Sequence, residues 1–238
     1  MMPELFHIEY GAREIEFTVV RRDRKTLEIA VEPDLSVVVA APLDATMDDI
    51  RAKVRRRAAW IQRQQRFFAQ FLPRMPERYY VAGETHLYLG RQYRLKVARN
   101  VQEGVKLTRG FIQVHTHFPE RPDVTKELVE EWYRARAQIK FRERLESNLE
   151  RFARPEKFTP SGLTIKHLSS RWGSMSPSGR LLLNRRLIQA PVDAIDYVIS
   201  HELCHLAVPN HGPAFYGLLG RVMPDWEKRK LRLERCLA

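Results

Sequence analysis

The sequence has few cysteines: two in 238 residues cannot build a disulfide framework. It also has no long apolar run. The longest, Val37–Ala41, is far short of the roughly 20 residues a membrane-spanning helix needs. The opening Met1-Met2-Pro3-Glu4-Leu5-Phe6-His7 lacks the basic start and apolar stretch of a secretory signal. A P-loop and a carboxylate cluster suited to magnesium are missing too, and no internal repeat or low-complexity segment stands out. These absences lead us to expect a cytoplasmic protein with reduced thiols and no membrane contact.

Positive charge is abundant. Lys and Arg number 41 against 29 Asp and Glu, a formal net charge of +12, which favours phosphate-bearing or otherwise acidic partners. With 44% hydrophobic residues the chain can bury a core as one domain or two small ones.

The first forty residues read as a small meander of short strands. Glu14 to Val19 alternates, Leu35 to Ala40 is mostly apolar, and Gly11 and Pro33-Asp34 mark turns. Thr46 and Asp49 form a capping-box pattern. Ile50, Val54, Ala58, Ile61 and Phe68 then recur at helical spacing, with Gln65 the one polar member, up to a stop at Pro73. This helix carries Arg51, Lys53, Arg55, Arg56, Arg57, Arg63 and Arg66, and no acid lies between Arg51 and Leu72. Residues 51–70 therefore read either as a solvated face or as a patch for nucleic acid or an acidic partner. Further strands follow at 85–89, 93–97 and 105–114, then a mixed-charge helix over Val124 to Arg151.

The chemistry lies in His201-Glu202-Leu203-Cys204-His205, an H-E-x-x-H pattern inside a helix starting near Pro191. Residues four apart on a helix are only about 40° apart around its axis, so His201 and His205 can reach one ion with Glu202 beside them. Ile195, Ile199, Leu203 and Leu206 fall on the opposite side, an apolar back to a chemical front. Catalytic zinc usually takes three protein ligands and leaves a position for water. His211 is the best third candidate, because Val208-Pro209-Asn210 should end the helix and turn the chain back; Glu227 is the runner-up. Cys204 reads as a small buried residue, and His7, His86, His115, His117 and His167 as strand or surface residues without a partner at ligand spacing.

On these residues the chain resembles the YgjP-like metallopeptidase domain family, a zincin branch related to SprT-like and WLM-type proteases. The likeness rests on Ser170-Arg171-Trp172-Gly173-Ser174-Met175, on Leu181 to Leu187, on Asp196 to Ile199 leading into the histidine pair, and on Asn210 to Phe215. It implies a zincin core, a twisted sheet above the active-site helix, with His201, His205 and His211 holding one Zn2+ per chain and Glu202 as catalytic base. Met175 stands where family members often have cysteine. The expected fold class is α+β, with an N-terminal β-rich region and basic helix over 1–120 and the zincin-like core over 121–238. A hairpin built from 163–168 and 180–184 offers an edge for a peptide strand, with Arg171, Ser174 and Asn184 as polar contacts and Trp172 as a wall. Tyr197, one turn before His201, is a candidate transition-state helper.

Three activities fit the motif. A zinc metallopeptidase acting on protein or peptide accounts for it best. A metal-dependent nucleoside triphosphate pyrophosphatase uses the same ion with the excess cations holding phosphate. A nucleic-acid or partner-binding module with structural zinc fits less well, since such sites normally have four ligands. Imidazole ligands also suit manganese, iron, cobalt and nickel.

Overall fold

A computed structural model describes residues 5–69 other than 12, 25 and 33, residues 78–168, and residues 171–237. Pro33, Pro73 and Ser170, used in the sequence reading, lie outside the described residues. The chain divides into two compact units, residues 1–74 and 75–237. No helix is long and apolar enough to cross a membrane among the described residues.

The N-terminal unit contains β1 (Leu5–Tyr10), β2 (Arg13–Arg21), β3 (Glu28–Val31), β4 (Val37–Ala41) and α1 (Met47–Ala69). The strands do not pair as a meander. Their order is β1-β2-β4-β3, with β2 and β4 parallel and both outer pairs antiparallel. Ile8, Ile15, Phe17, Val37, Val39 and Ala41 pack against Ile50, Val54, Ala58 and Ile61 of α1, all of them buried. The Thr46 hydroxyl accepts the Asp49 amide at 3.2 Å, as the capping box requires. Gln65 is polar within the apolar stripe for a local reason. Its amide donates to the Leu35 carbonyl at 2.9 Å, pinning a β3–β4 turn in which Leu35 adopts a φ of +74°.

The C-terminal unit opens with β5 (Thr85–Tyr88), β6 (Arg91–Arg99), β7 (Gly104–Thr108), β8 (Phe111–Thr116) and the long α2 (Pro122–Leu149). Here the order is β5-β6-β8-β7, again with a parallel central pair between two antiparallel ones. The chain therefore contains one β-β-β-β-α wiring twice, although its sequence shows no repeat. Topology is set by which edges pair, and many side-chain patterns satisfy the same pairing.

Next come β9 (Gly162–Lys166), β10 (Gly173–Met175) and β11 (Arg180–Asn184), then α3 (Val192–Cys204), α4 (Pro213–Val222) and α5 (Trp226–Leu237). β9 and β11 were expected as one hairpin. They run parallel instead, and the antiparallel partner of β11 is β10, through a turn closed by the Gly179 amide on the Ser176 carbonyl. β10 is thus an edge strand of the order β10-β11-β9.

The observed division differs from the 120/121 boundary of the sequence reading. Leu87, Leu95, Ile112 and Val114 of β5–β8 share one buried core with Trp132, Phe141, Leu187, Ile195 and Ile199, so this sheet belongs with the helix of the histidine motif. The fold class is α+β with a zincin-like core, as expected.

Helix α3 is held by a buried polar core as well as by apolar packing. The Asp196 carboxylate, 4% exposed, accepts Arg144 Nε at 2.8 Å, Arg144 Nη2 at 2.9 Å and Asn148 Nδ2 at 2.9 Å. Ser200, one turn on, donates to Asn148 Oδ1 at 3.0 Å. Two positions of α2 thereby clamp two of α3. Removing one partner strands the other polar groups inside the protein. We expect Asp196→Ala to cost about 3 kcal/mol in urea unfolding, whereas Asp193→Ala, at the half-buried start of α3 in an ion pair with the exposed Arg232, should cost about 1 kcal/mol or less.

Candidate metal centre

The histidine cluster begins on α3 and is completed by the loop after it. His201 lies in the last turn, and His205 is the C-cap with φ −67° and ψ −17°. The Val208 amide bonds back to the Cys204 carbonyl at 3.0 Å, and the Gly212 amide to the Asn210 carbonyl at 2.9 Å, so the chain reverses before Pro213 starts α4. This turn uses no positive φ at Asn210. It returns His211 to the helix end.

His201, His205 and His211 each offer a ring nitrogen, and these atoms all lie within 4.8 Å of one another. The Nε2 atoms of His201 and His211 are 2.9 Å apart. His205 Nδ1 donates to the Val208 carbonyl at 3.1 Å, which leaves its Nε2 as the lone-pair nitrogen. Burial, reinforced by the neighbouring imidazoles and Lys230, pushes His201 down to about 3 and lowers His211. Both rings are therefore neutral at physiological pH, the form that binds a metal. The donor set fits zinc: three convergent imidazoles. Among the described residues the cluster contains these three side chains and no fourth. Glu227, the runner-up, is exposed in the first turn of α5 and takes no part.

Glu202 faces the same cleft, 7% exposed. Burial raises its carboxyl to about 7, opposed by an amide hydrogen bond from Met175 and the charge of Arg171. The room it occupies is left by Gly173 of the edge strand. A Cβ there would lie 2.8 Å from Glu202 Cγ and 3.0 Å from Val198 Cγ1.

The cleft has a volume of about 820 Å³. Arg171, Trp172, Ser174 and Tyr197 line it with the three histidines and Glu202. Arg171 Nη1 donates to Ser174 Oγ at 3.2 Å, and Trp172 lies 5.8 Å from the Arg186 guanidinium. Tyr197 is buried against Trp226, with its ring 5.7 Å from His201, and burial raises its hydroxyl above the usual tyrosine range. Asn184 does not join them. At 3% exposed, it donates to the Leu168 and Arg171 carbonyls at 2.8 and 3.0 Å and accepts the Arg186 amide at 3.1 Å, so it braces the loop before β10. Leu206 also departs from the wheel, because the helix ends at Cys204 and leaves it on the cleft wall. Cys204 is fully buried, its thiol pushed up to about 12.

The sequence reading gave no role to Phe215. Fully buried in α4, its ring lies 4.9, 4.6 and 4.7 Å from those of His201, His205 and His211 and forms a common floor beneath them. Its signals in the sequence are its place at the end of the Asn210 to Phe215 segment and its aromatic ring about one turn after His211.

A mixed sheet whose edge strand faces an H-E-x-x-H helix, with a third histidine folded back onto it, defines a zincin-like metallopeptidase core. The model of the YgjP-like metallopeptidase domain matches residues 25–236. The chain belongs to that family. Among solved structures, the crystal structure of the metallopeptidase zymogen of Pyrococcus abyssi abylysin is similar at 20% identity, over 40% of this chain and 99% of that one, with a TM-score of 0.33. No curated protein matches.

The Gly173 contact generates a test. Gly173→Ala must displace the Glu202 side chain, because the crowding atoms are its own Cγ and a valine methyl of the same helix. Hydrolysis should fall at least tenfold while bound metal per chain, measured by atomic emission, stays at the wild-type level. Phe215→Ala should do the reverse, lowering metal affinity first by removing the floor that fixes all three rings.

Proposed function

We propose that the chain is a zinc metallopeptidase in which His201, His205 and His211 hold one zinc ion and Glu202 is the general base. The observation that carries this reading is the convergence of three imidazoles beside a buried carboxylate in one open cleft. Bound zinc would supply Lewis acidity toward a peptide carbonyl and toward water. Glu202 takes a proton from the attacking water on its carboxylate and returns it to the leaving amine nitrogen. Gly173 and the Met175 carbonyl present the free edge along which an extended peptide pairs, the Met175 amide being held by Glu202, and Ser174 and Arg171 contact the peptide from the rim. Trp172 walls the cleft, and Tyr197 stands beside the reacting carbonyl as a secondary contact. Two free cysteines, one fully buried, fit residence in the cytoplasm.

The test pairs two variants. Glu202→Gln should retain one zinc per chain and lose at least a hundredfold in cleavage of an unfolded protein substrate; His211→Ala should lose both zinc and activity. Chelation should abolish cleavage, and added zinc should restore it. The same preparations assayed for phosphate or pyrophosphate release separate the runner-up. Glu202-dependent hydrolysis of nucleoside triphosphates without proteolysis would replace the peptidase reading with a nucleotide one. Unfolding on chelation, with no hydrolysis of either substrate by the zinc-loaded protein, would point to a structural zinc.

A further inference from the structure

The basic helix has a feature that a merely solvated face does not need. On α1, Lys53, Arg57 and Trp60 follow one another at i, i+4 and i+7 and so lie along one line of the helix. Together with Arg24, Thr26, Leu27, Glu28 and Ile29 they enclose a pocket of about 450 Å³ inside the N-terminal unit. Three cations meet one carboxylate there. Glu28 is engaged by Arg24 Nη1 at 2.8 Å, and Arg24 Nε is buried without a hydrogen-bond partner among the described residues. Trp60, half-buried, adds an aromatic wall.

Outside the pocket the helix exposes Arg51, Arg55, Arg56, Arg63 and Arg66, none of them in an ion pair with a described residue. Six of the seven cations on α1 are arginine, whose planar fork matches phosphate in a bidentate way that lysine does not. The apolar side of α1 is spent on the core through Ile50, Val54, Ala58 and Ile61, so the cationic side has charge without the apolar wedge a membrane-surface helix inserts.

We infer that this unit binds single-stranded nucleic acid, with a phosphate held by Arg24, Lys53 and Arg57, a base stacked on Trp60, and the backbone continuing over the exposed arginines of α1. Cations that track a backbone beside an aromatic stacking platform are how proteins hold single strands without reading their sequence. An acidic peptide satisfies the cations and leaves the indole without a role.

The experiment is fluorescence anisotropy of the full-length protein with labelled mixed-sequence single-stranded DNA and RNA across a salt series. Wild type should bind, with the logarithm of affinity falling by about 0.7 per phosphate contact for each tenfold rise in salt. The double substitution Lys53→Glu/Arg57→Glu should raise Kd at least tenfold and, by losing the one phosphate they share, flatten the slope by about 0.7. Trp60→Ala should raise Kd about tenfold, and Trp60→Phe should restore most of it. Circular dichroism monitors folding. If the charge-reversed pair loses helix, Lys53→Gln/Arg57→Gln takes its place, with at least a threefold rise in Kd expected. Hydrolytic activity should be unchanged in all of these, because the histidine cluster lies in the other unit. Absence of binding at low salt, salt-insensitive binding, or wild-type affinity in the charge variants would each overturn the inference. So would tighter binding to phosphatidylserine vesicles or polyglutamate than to the oligonucleotides.

Discussion

A single buried carboxylate fixes what the rest of the site relies on. Two histidines four residues apart meet one ion only if their helix keeps one rotation about its own axis. Apolar packing alone resists rotation weakly, because one methyl group can replace another. Asp196 is directional: it accepts from Arg144 and Asn148, while Asn148 also holds Ser200. The clamp lies away from the cleft, on the side of α3 facing α2, and leaves the histidine side free for chemistry. Gly90 sets the start of the same helix. Its φ is +77°, and a Cβ there would lie 2.7 Å from Pro191, the residue preceding α3. The β5–β6 turn and α2 thus position the site without entering it.

What was legible in the sequence follows from how local each signal is. The i, i+4 histidine pair, the capping box at Thr46 and the reversal after Val208 depend on neighbours within one or two turns, and the structure has each of them. The pairing of β9 with β11, the shared core of β5–β8 with α3, and the repeated strand order depend on contacts between distant segments, which single-chain periodicity does not encode. Asn184 misled because a polar residue beside a motif looks the same whether it faces substrate or braces a loop. Asp196 and Ser200 did leave a trace, as polar residues set among Ala194, Ile195, Val198 and Ile199. Only the position of α2 shows why they are there.

Charge is distributed by segregation more than by excess. Residues 1–74 carry 13 Lys and Arg against 11 Asp and Glu, close to balance, yet seven of those cations lie on α1, whose two acids, Asp48 and Asp49, are confined to its first turn. The two copies of the β-β-β-β-α wiring have accordingly diverged in what their helices do. In the first, the helix turns charge outward. In the second, it sends an arginine and an asparagine inward to grip α3.

The order of elements along the chain also governs what a growing polypeptide can do on the ribosome. Synthesis runs from the N-terminus, and domains fold as units in that order. Both copies of the wiring, and the clamp residues of α2, are made before the first histidine of the cluster, and the cluster is incomplete until residue 211 has been added. The three-histidine cluster is therefore completed late in synthesis, on a scaffold that has already been made.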